Sequence, residues 1–205
     1  MGTFSRHGRV GVFGGSFDPV HFGHLSIAEE ARVVLTLDLL LIVPAGQQPE
    51  KIGYHAATPQ QRLAMTRLAC ADNPHFAVSP IEIERPGLSY TADTLAAIRA
   101  DYDADLYFIL GADVLNGFPA WERADEVLRL SRIAALSRPG VSVDLAALDA
   151  AMPGLAAQTQ LIDGPQLEIS STDLRRRLAR RLPVRYQLPD AVIDYIQEQR
   201  LYAER

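Results

Sequence analysis

The 205-residue chain is poor in three residue types that often carry diagnostic chemistry, holding one cysteine, one tryptophan and one lysine. Cys70 alone cannot close an internal disulfide, and its place at the end of an apolar-periodic helix with Leu63, Leu68 and Ala69 reads as a buried structural thiol rather than a nucleophile. No apolar run reaches the roughly 18 residues of a membrane span. The longest candidate, 33–45, is cut by Thr36 and Asp38 and punctuated by Pro44. The N-terminus lacks the charged, apolar and small-residue layout of a secretory leader, so the cytoplasm is the expected compartment and no membrane the expected partner. A net charge of −5 excludes a protein that coats nucleic acid through a bulk positive field. Small anions stay open, because they need only a local cluster of positive charge. Six of the basic residues crowd into Arg175–Arg185, and the arginine excess leaves Lys51 as the one compact ammonium.

What is present is a steady alternation of short apolar runs and helical segments without repeat or linker, which reads as one α/β domain over 1–205, a doubly wound parallel sheet with C-terminal helices from about 170 to 205. Strands are expected at Arg9–Phe13, Leu39–Val43, Asp105–Leu110 and Arg132–Leu136, with a strand or strand pair over Phe76–Ile83. Helices are expected over Phe22–Leu35, from Thr58 to Ala71, Thr91–Ala100, around Val114, Trp121–Leu130, Ser171–Leu182 and Asp190–Leu201. The stretch 137–166 shows no clear period. In such sheets ligands bind beyond the carboxyl ends of the strands, which singles out Gly14–His24, Gly111–Asp113 and Ile169–Arg175.

Two motifs carry chemistry. The first, Gly14-Gly15-Ser16-Phe17-Asp18-Pro19-Val20-His21-Phe22-Gly23-His24, lies between a strand and a helix. Its glycines permit a tight turn with positive backbone angles and a close phosphate approach. The helix start should offer unpaired N–H groups, with the two imidazoles on one side. It is neither the dinucleotide fingerprint nor a Walker loop. A zinc reading of His21 and His24 lacks further sequence-local ligands. Ser16 reads as a donor, and Asp18 before Pro19 reads as a residue that fixes the turn. The second motif, Ile169-Ser170-Ser171-Thr172-Asp173-Leu174-Arg175, supplies three hydroxyls where a helix cap needs one, with an arginine a turn later, and so reads as a second anion site.

Together these strings resemble the two signatures of the nucleotidyltransferase superfamily with a His-x-Gly-His motif. From about Arg9 to Tyr202 the chain is similar, more narrowly, to the bacterial nicotinate-nucleotide adenylyltransferases. The narrower resemblance rests on Ser89-Tyr90-Thr91-Ala92-Asp93-Thr94-Leu95, on Leu106 to Asp113 followed by Trp121, and on Tyr186-Gln187-Leu188-Pro189-Asp190 to Leu201-Tyr202. The resemblance implies a Rossmann-like fold and transfer of the adenylyl group of ATP to nicotinate mononucleotide. It implies an ATP site of Gly14, Gly15, Ser16, Phe17, His21, Gly23, His24, Gly111, Asp113, Ile169, Ser170, Ser171, Thr172 and Arg175. Catalysis would fall to His21, His24, Lys51 and Arg175. Nicotinate mononucleotide would meet Ser16, Lys51, Tyr90, Thr91, Asp113, Trp121 and Arg138, with Trp121 stacking on the ring.

Mg2+ would ride on the ATP phosphates, because no paired carboxylates sit near either anion motif; no metal site is expected in the protein itself. One departure stands out: where the family writes Pro-Pro-His-Lys, this chain has Gln48-Pro49-Glu50-Lys51, so a histidine role is absent or moved to His55. A Glu50 carboxylate about 4 Å from a phosphate would cost roughly 4 kcal/mol at an effective dielectric near 20, so it should point away or pair with an arginine. The rival readings are an adenylyltransferase for nicotinamide mononucleotide or phosphopantetheine, and a nucleotide-sensing module without turnover. Oligomeric state, homo-oligomer included, is not written in the sequence.

Overall fold

The structure is a computed structural model that describes residues 8–47, 55–137 and 140–203. The calls on Gln48, Pro49, Glu50, Lys51 and Arg138 lie outside the described residues. Six strands, β1 (Arg9–Gly15), β2 (Leu39–Pro44), β3 (Phe76–Val78), β4 (Asp105–Gly111), β5 (Arg132–Leu136) and β6 (Thr159–Ile162), form one all-parallel sheet in the order β3-β2-β1-β4-β5-β6. The order reverses between β1 and β4, which pair in parallel with Arg9 opposite Asp105. All six residues of β2 are buried, as its unbroken apolar run requires of a strand covered on both faces.

Helices follow the strands in sequence: α1 (Phe22–Val34), α2 (Pro59–Cys70), α3 (Ile81–Glu84), α4 (Thr91–Asp101), α5 (Ala112–Gly117), α6 (Ala124–Leu130), α7 (Leu145–Ala151), α8 (Leu155–Gln158), α9 (Ser171–Ala179) and α10 (Asp190–Glu198). The start of α2 is a capping box with Thr58 as N-cap, Pro59 in the first turn and the Gln61 side chain returned to the Thr58 amide. Cys70 is buried at its end, and desolvation pushes its thiol up to about 12, which makes it an unreactive core residue.

Three expectations need correction, besides the helix placed from Trp121, which starts only at Ala124 behind the left-handed Arg123 (φ 63). The segment after Phe76 is a strand of three residues and then α3, because Pro80 has no N–H to give a ladder and serves as the N-cap of a helix. Helices α9 and α10 stop at Ala179 and Glu198, short of Leu182 and Leu201. Arg181 (φ 57) and Arg200 (φ 51) turn left-handed, with Leu182 N–H bonded to the Arg177 carbonyl and Leu201 N–H to that of Ile196, the signature of a Schellman end without its usual glycine. The stretch 137–166 contains α7, α8 and edge strand β6; Asp144 caps α7 at the Ala147 amide, and Asp149 gathers the Gly154 and Ala156 amides.

The chain divides into two compact units. The first comprises the described residues within Met1–Phe13, Ile27–Leu41 and Tyr90–Gln166, with its core on Val10, Val12, Leu106, Ile109, Leu115 and Ile133. The second comprises those within Gly14–Ser26, Ile42–Ser89 and Leu167–Arg205, with Phe17, Val20, Met65, Leu174, Val192 and Ile196 inside.

Candidate functional site: two motifs joined at one loop

Within the second unit the two motifs meet. Arg175 Nη1 donates to the Asp18 carbonyl at 2.7 Å, and Ser171 Oγ donates to the Pro19 carbonyl at 2.9 Å, across more than 150 residues of sequence. The start of α9 is thereby fastened to the loop between β1 and α1. Arg175 Nη2 also reaches Thr172 Oγ1 at 3.3 Å, so the guanidinium is aimed by its own helix as well as by the loop.

The loop is itself held from beneath. Arg62, on the buried face of α2, is 0% exposed and donates to three carbonyls: Ser16 at 2.7 Å, Ala45 at 2.6 Å and Gly46 at 3.3 Å. Burial lowers its pKa, offset by Asp18, Tyr202 and Glu82 in that order. Asp18 is 2% exposed, and its carboxylate accepts from the Ala56 and Ala57 amides and from the Tyr202 hydroxyl, with His55 Nδ1 at 3.9 Å. Asp18 therefore fixes far more than its own turn.

The imidazoles of His21 and His24 stack with centroids 3.6 Å apart. His21 N–H donates to His24 Nδ1 and His24 N–H donates to His21 Nδ1, each at 3.3 Å. An Nδ1 that accepts carries no proton, so each neutral ring bears its proton on Nε2 and presents it as a donor. Phe17 meets His24 edge-on at 5.0 Å. A Cβ at Gly23 would lie 3.0 Å from His21 Nδ1, so a larger residue there would push the His21 ring by a few tenths of an ångström.

These contacts revise two expectations. The positive φ in the loop belongs to Phe17 (φ 47), not to Gly14 or Gly15; Gly15 is needed because a Cβ there would meet the Phe17 ring at 2.8 Å. The first amides of α1 are largely spent, that of Phe22 on the Gln187 carbonyl at 3.0 Å and that of His24 on His21. At α9, Ser170 caps the Asp173 amide, while the Ser171 and Thr172 amides have no hydrogen bond to another described residue. Thus α1 offers imidazole donors and α9 offers backbone amides beside Arg175.

The remaining sequence-predicted residues belong to the first unit. Gly111 is the N-cap of α5, with exposed Asp113 in its first turn. Tyr90 is the N-cap of α4, its carbonyl accepting from the Thr94 amide at 3.2 Å, and Thr91 is the first residue of that helix. Trp121 is half-buried, 5.5 Å from Phe118 and 6.1 Å from Phe108. Next to it Arg123 (φ 63) hydrogen-bonds Glu126 and Asp93, two bonds that hold its proton more firmly than usual and tie α4 to α6. Arg62 and Tyr202 were not among the expected site residues. Arg62 lies at helical spacing with Met65, Thr66 and Ala69 on the buried stripe of α2, and that pattern was the available signal for a buried charge.

The reversed strand order and the joined motifs define a nucleotide-handling α/β class, and the model of the cytidylyltransferase-like family matches residues 12–177. The probable nicotinate-nucleotide adenylyltransferase of Roseiflexus sp. (strain RS-1) is 56% identical over 193 residues, 94% of this chain and 97% of that protein. That of Moorella thermoacetica is 42% identical over 211 residues, 100% of this chain and 96% of that protein. The chain belongs to the nicotinate-nucleotide adenylyltransferase family. Its fold is also that of Plasmodium falciparum nicotinic acid mononucleotide adenylyltransferase complexed with NaAD, with a TM-score of 0.76 at 19% identity, covering 95% of this chain and 97% of that one.

Proposed function

We propose that the chain transfers the adenylyl group of ATP to nicotinate mononucleotide, releasing pyrophosphate and forming the deamido precursor of NAD. The observation that carries this reading is the pair of bonds by which Arg175 and Ser171 seat the start of α9 on the Asp18–Pro19 segment, gathering two anion motifs at one loop. Relatives carrying this name over nearly the whole chain support it.

In this reading the 5′-phosphate of the mononucleotide attacks the α-phosphorus of ATP, the bond to the bridging oxygen breaks, and its electron pair leaves with pyrophosphate. Both reactants are anions, so repulsion, in-line placement and charge on the phosphoryl oxygens are the obstacles. Alignment supplies on the order of 7–11 kcal/mol. His21 and His24 donate from Nε2 to the α-phosphoryl oxygens. Arg175, with the Ser171 and Thr172 amides, takes the β and γ phosphates. The single Ser171 proton is already given to Pro19, so its role there is through the amide and the seat it makes for α9.

Thr91, Tyr90, Asp113 and Trp121 are assigned to the mononucleotide, Trp121 to its ring; Lys51 and Arg138 keep the roles that the resemblance implies. The loop's donors suit an anion rather than a bare cation, the Asp18 carboxylate being spent on main chain and tyrosine. Mg2+ would accordingly be carried on the ATP phosphates rather than by protein ligands, and would supply charge neutralisation for the leaving group. No helix among the described residues is long and apolar enough to cross a membrane; the cytoplasm is the compartment this biosynthetic role implies.

The test is a substrate panel of purified protein, ATP and Mg2+ with nicotinate mononucleotide, nicotinamide mononucleotide or phosphopantetheine, read as pyrophosphate release. Fastest turnover of the nicotinate substrate is the expected result. Faster turnover of either rival reassigns the acceptor, and ATP binding without turnover of any supports the sensing reading.

A further inference from the structure

Tyr202 lies beyond α10 in a left-handed conformation (φ 62), and its hydroxyl donates to Asp18 Oδ1 at 2.7 Å, 3.9 Å from Met65 Sδ. The other donors to that carboxylate are the Ala56 amide, at 2.8 Å to Oδ2, and the Ala57 amide, at 3.3 Å to Oδ1. Oδ1 therefore depends chiefly on the tyrosine. Burial, then the Asp18 charge, raises the Tyr202 pKa far above the ordinary phenol range, so the hydroxyl stays a donor at any working pH.

The same Asp18 residue receives Arg175 on its carbonyl, and Pro19 receives Ser171. A rotation of residues 18 and 19 would thus move the seat of Arg175 and the approach to His21. We propose that Tyr202 is a positioning residue for the polyphosphate end of the site: its hydroxyl locks the Asp18 carboxylate, and through it the main chain on which Arg175 is aimed. This rests on the proposed adenylyl transfer, in which that end takes ATP.

The experiment compares Tyr202→Phe, which deletes only the hydroxyl, with Met65→Leu, which removes the sulfur 3.9 Å from that hydroxyl without touching its hydrogen bond to Asp18. Loss of one charge-assisted bond should lower kcat/KM for ATP roughly tenfold, equivalent to about 1.4 kcal/mol, while KM for nicotinate mononucleotide stays within about twofold. Met65→Leu should leave KM for ATP unchanged. The proposal is overturned if Tyr202→Phe lowers only Tm with both KM values intact, or if Met65→Leu raises KM for ATP equally. Should the unaltered protein release no pyrophosphate, the functional reading fails separately. Calorimetric binding of a non-hydrolysable ATP analogue then decides, weaker binding by Tyr202→Phe supporting the positioning role and equal binding overturning it.

Discussion

Two strand-to-helix turns at the carboxyl ends of β1 and β4 face the same structural problem and are built in opposite ways. The turn after β1 runs through Ser16 to His21, buries Phe17, Asp18 and Val20, and is bonded by Arg62, Arg175, Ser171 and Tyr202. The turn after β4 has no intervening loop: Gly111 is both the last strand residue and the helix N-cap, without a side-chain cap bond, and Asp113, Val114 and Asn116 are exposed. The difference matches the two kinds of ligand proposed for them. A polyphosphate needs fixed donors at fixed distances, which reward rigidity. A ring and a ribose are held by a few adaptable contacts on a surface that stays open.

Three substitutions sharpen this contrast. The largest effect is expected from Arg62→Met, which leaves the Ser16, Ala45 and Gly46 carbonyls without their buried donor and should cost on the order of 3–5 kcal/mol. Differential scanning calorimetry would register this as a fall in Tm of roughly 10 °C; a fall of only a degree or two would show that the loop holds itself. His24→Ala comes next: steady-state pyrophosphate release should drop about 10²–10³-fold, with Tm little changed, since the ring is only half-buried. Retained turnover would remove the imidazoles from the mechanism. The smallest is Trp121→Ala, which should raise KM for nicotinate mononucleotide on the order of tenfold, as loss of one stacking partner does, leaving KM for ATP unaltered. An equal rise in both would mean that Trp121 is a packing residue beside Phe118.

Much of this was readable from the chain. The strand–glycine–helix pattern, the Thr58 capping box and the two motif strings each rest on local chemistry, and each stands at or within a residue or two of its expected place. What escaped was set by distance or by an unusual residue. Helices α9 and α10 end on arginines where a glycine would have marked the stop, so the apolar stripe seemed to run on. Phe76–Val78 and Ile81–Ile83 each alternate like a strand but in opposite phase, and Pro80 between them marks the switch to helix. No spacing rule joins Tyr202 to Asp18, 184 residues away, whereas Arg62 on a stripe otherwise without charge was a visible anomaly.

The crossed Nδ1 bonds of His21 and His24 make the two rings depend on one another. Each ring's Nδ1 accepts from its neighbour's main chain, which places the proton of each neutral ring on Nε2. Because a Cβ at Gly23 would press on the His21 ring and the two rings stack at 3.6 Å, a substitution at any one of His21, Gly23 and His24 disturbs the other two.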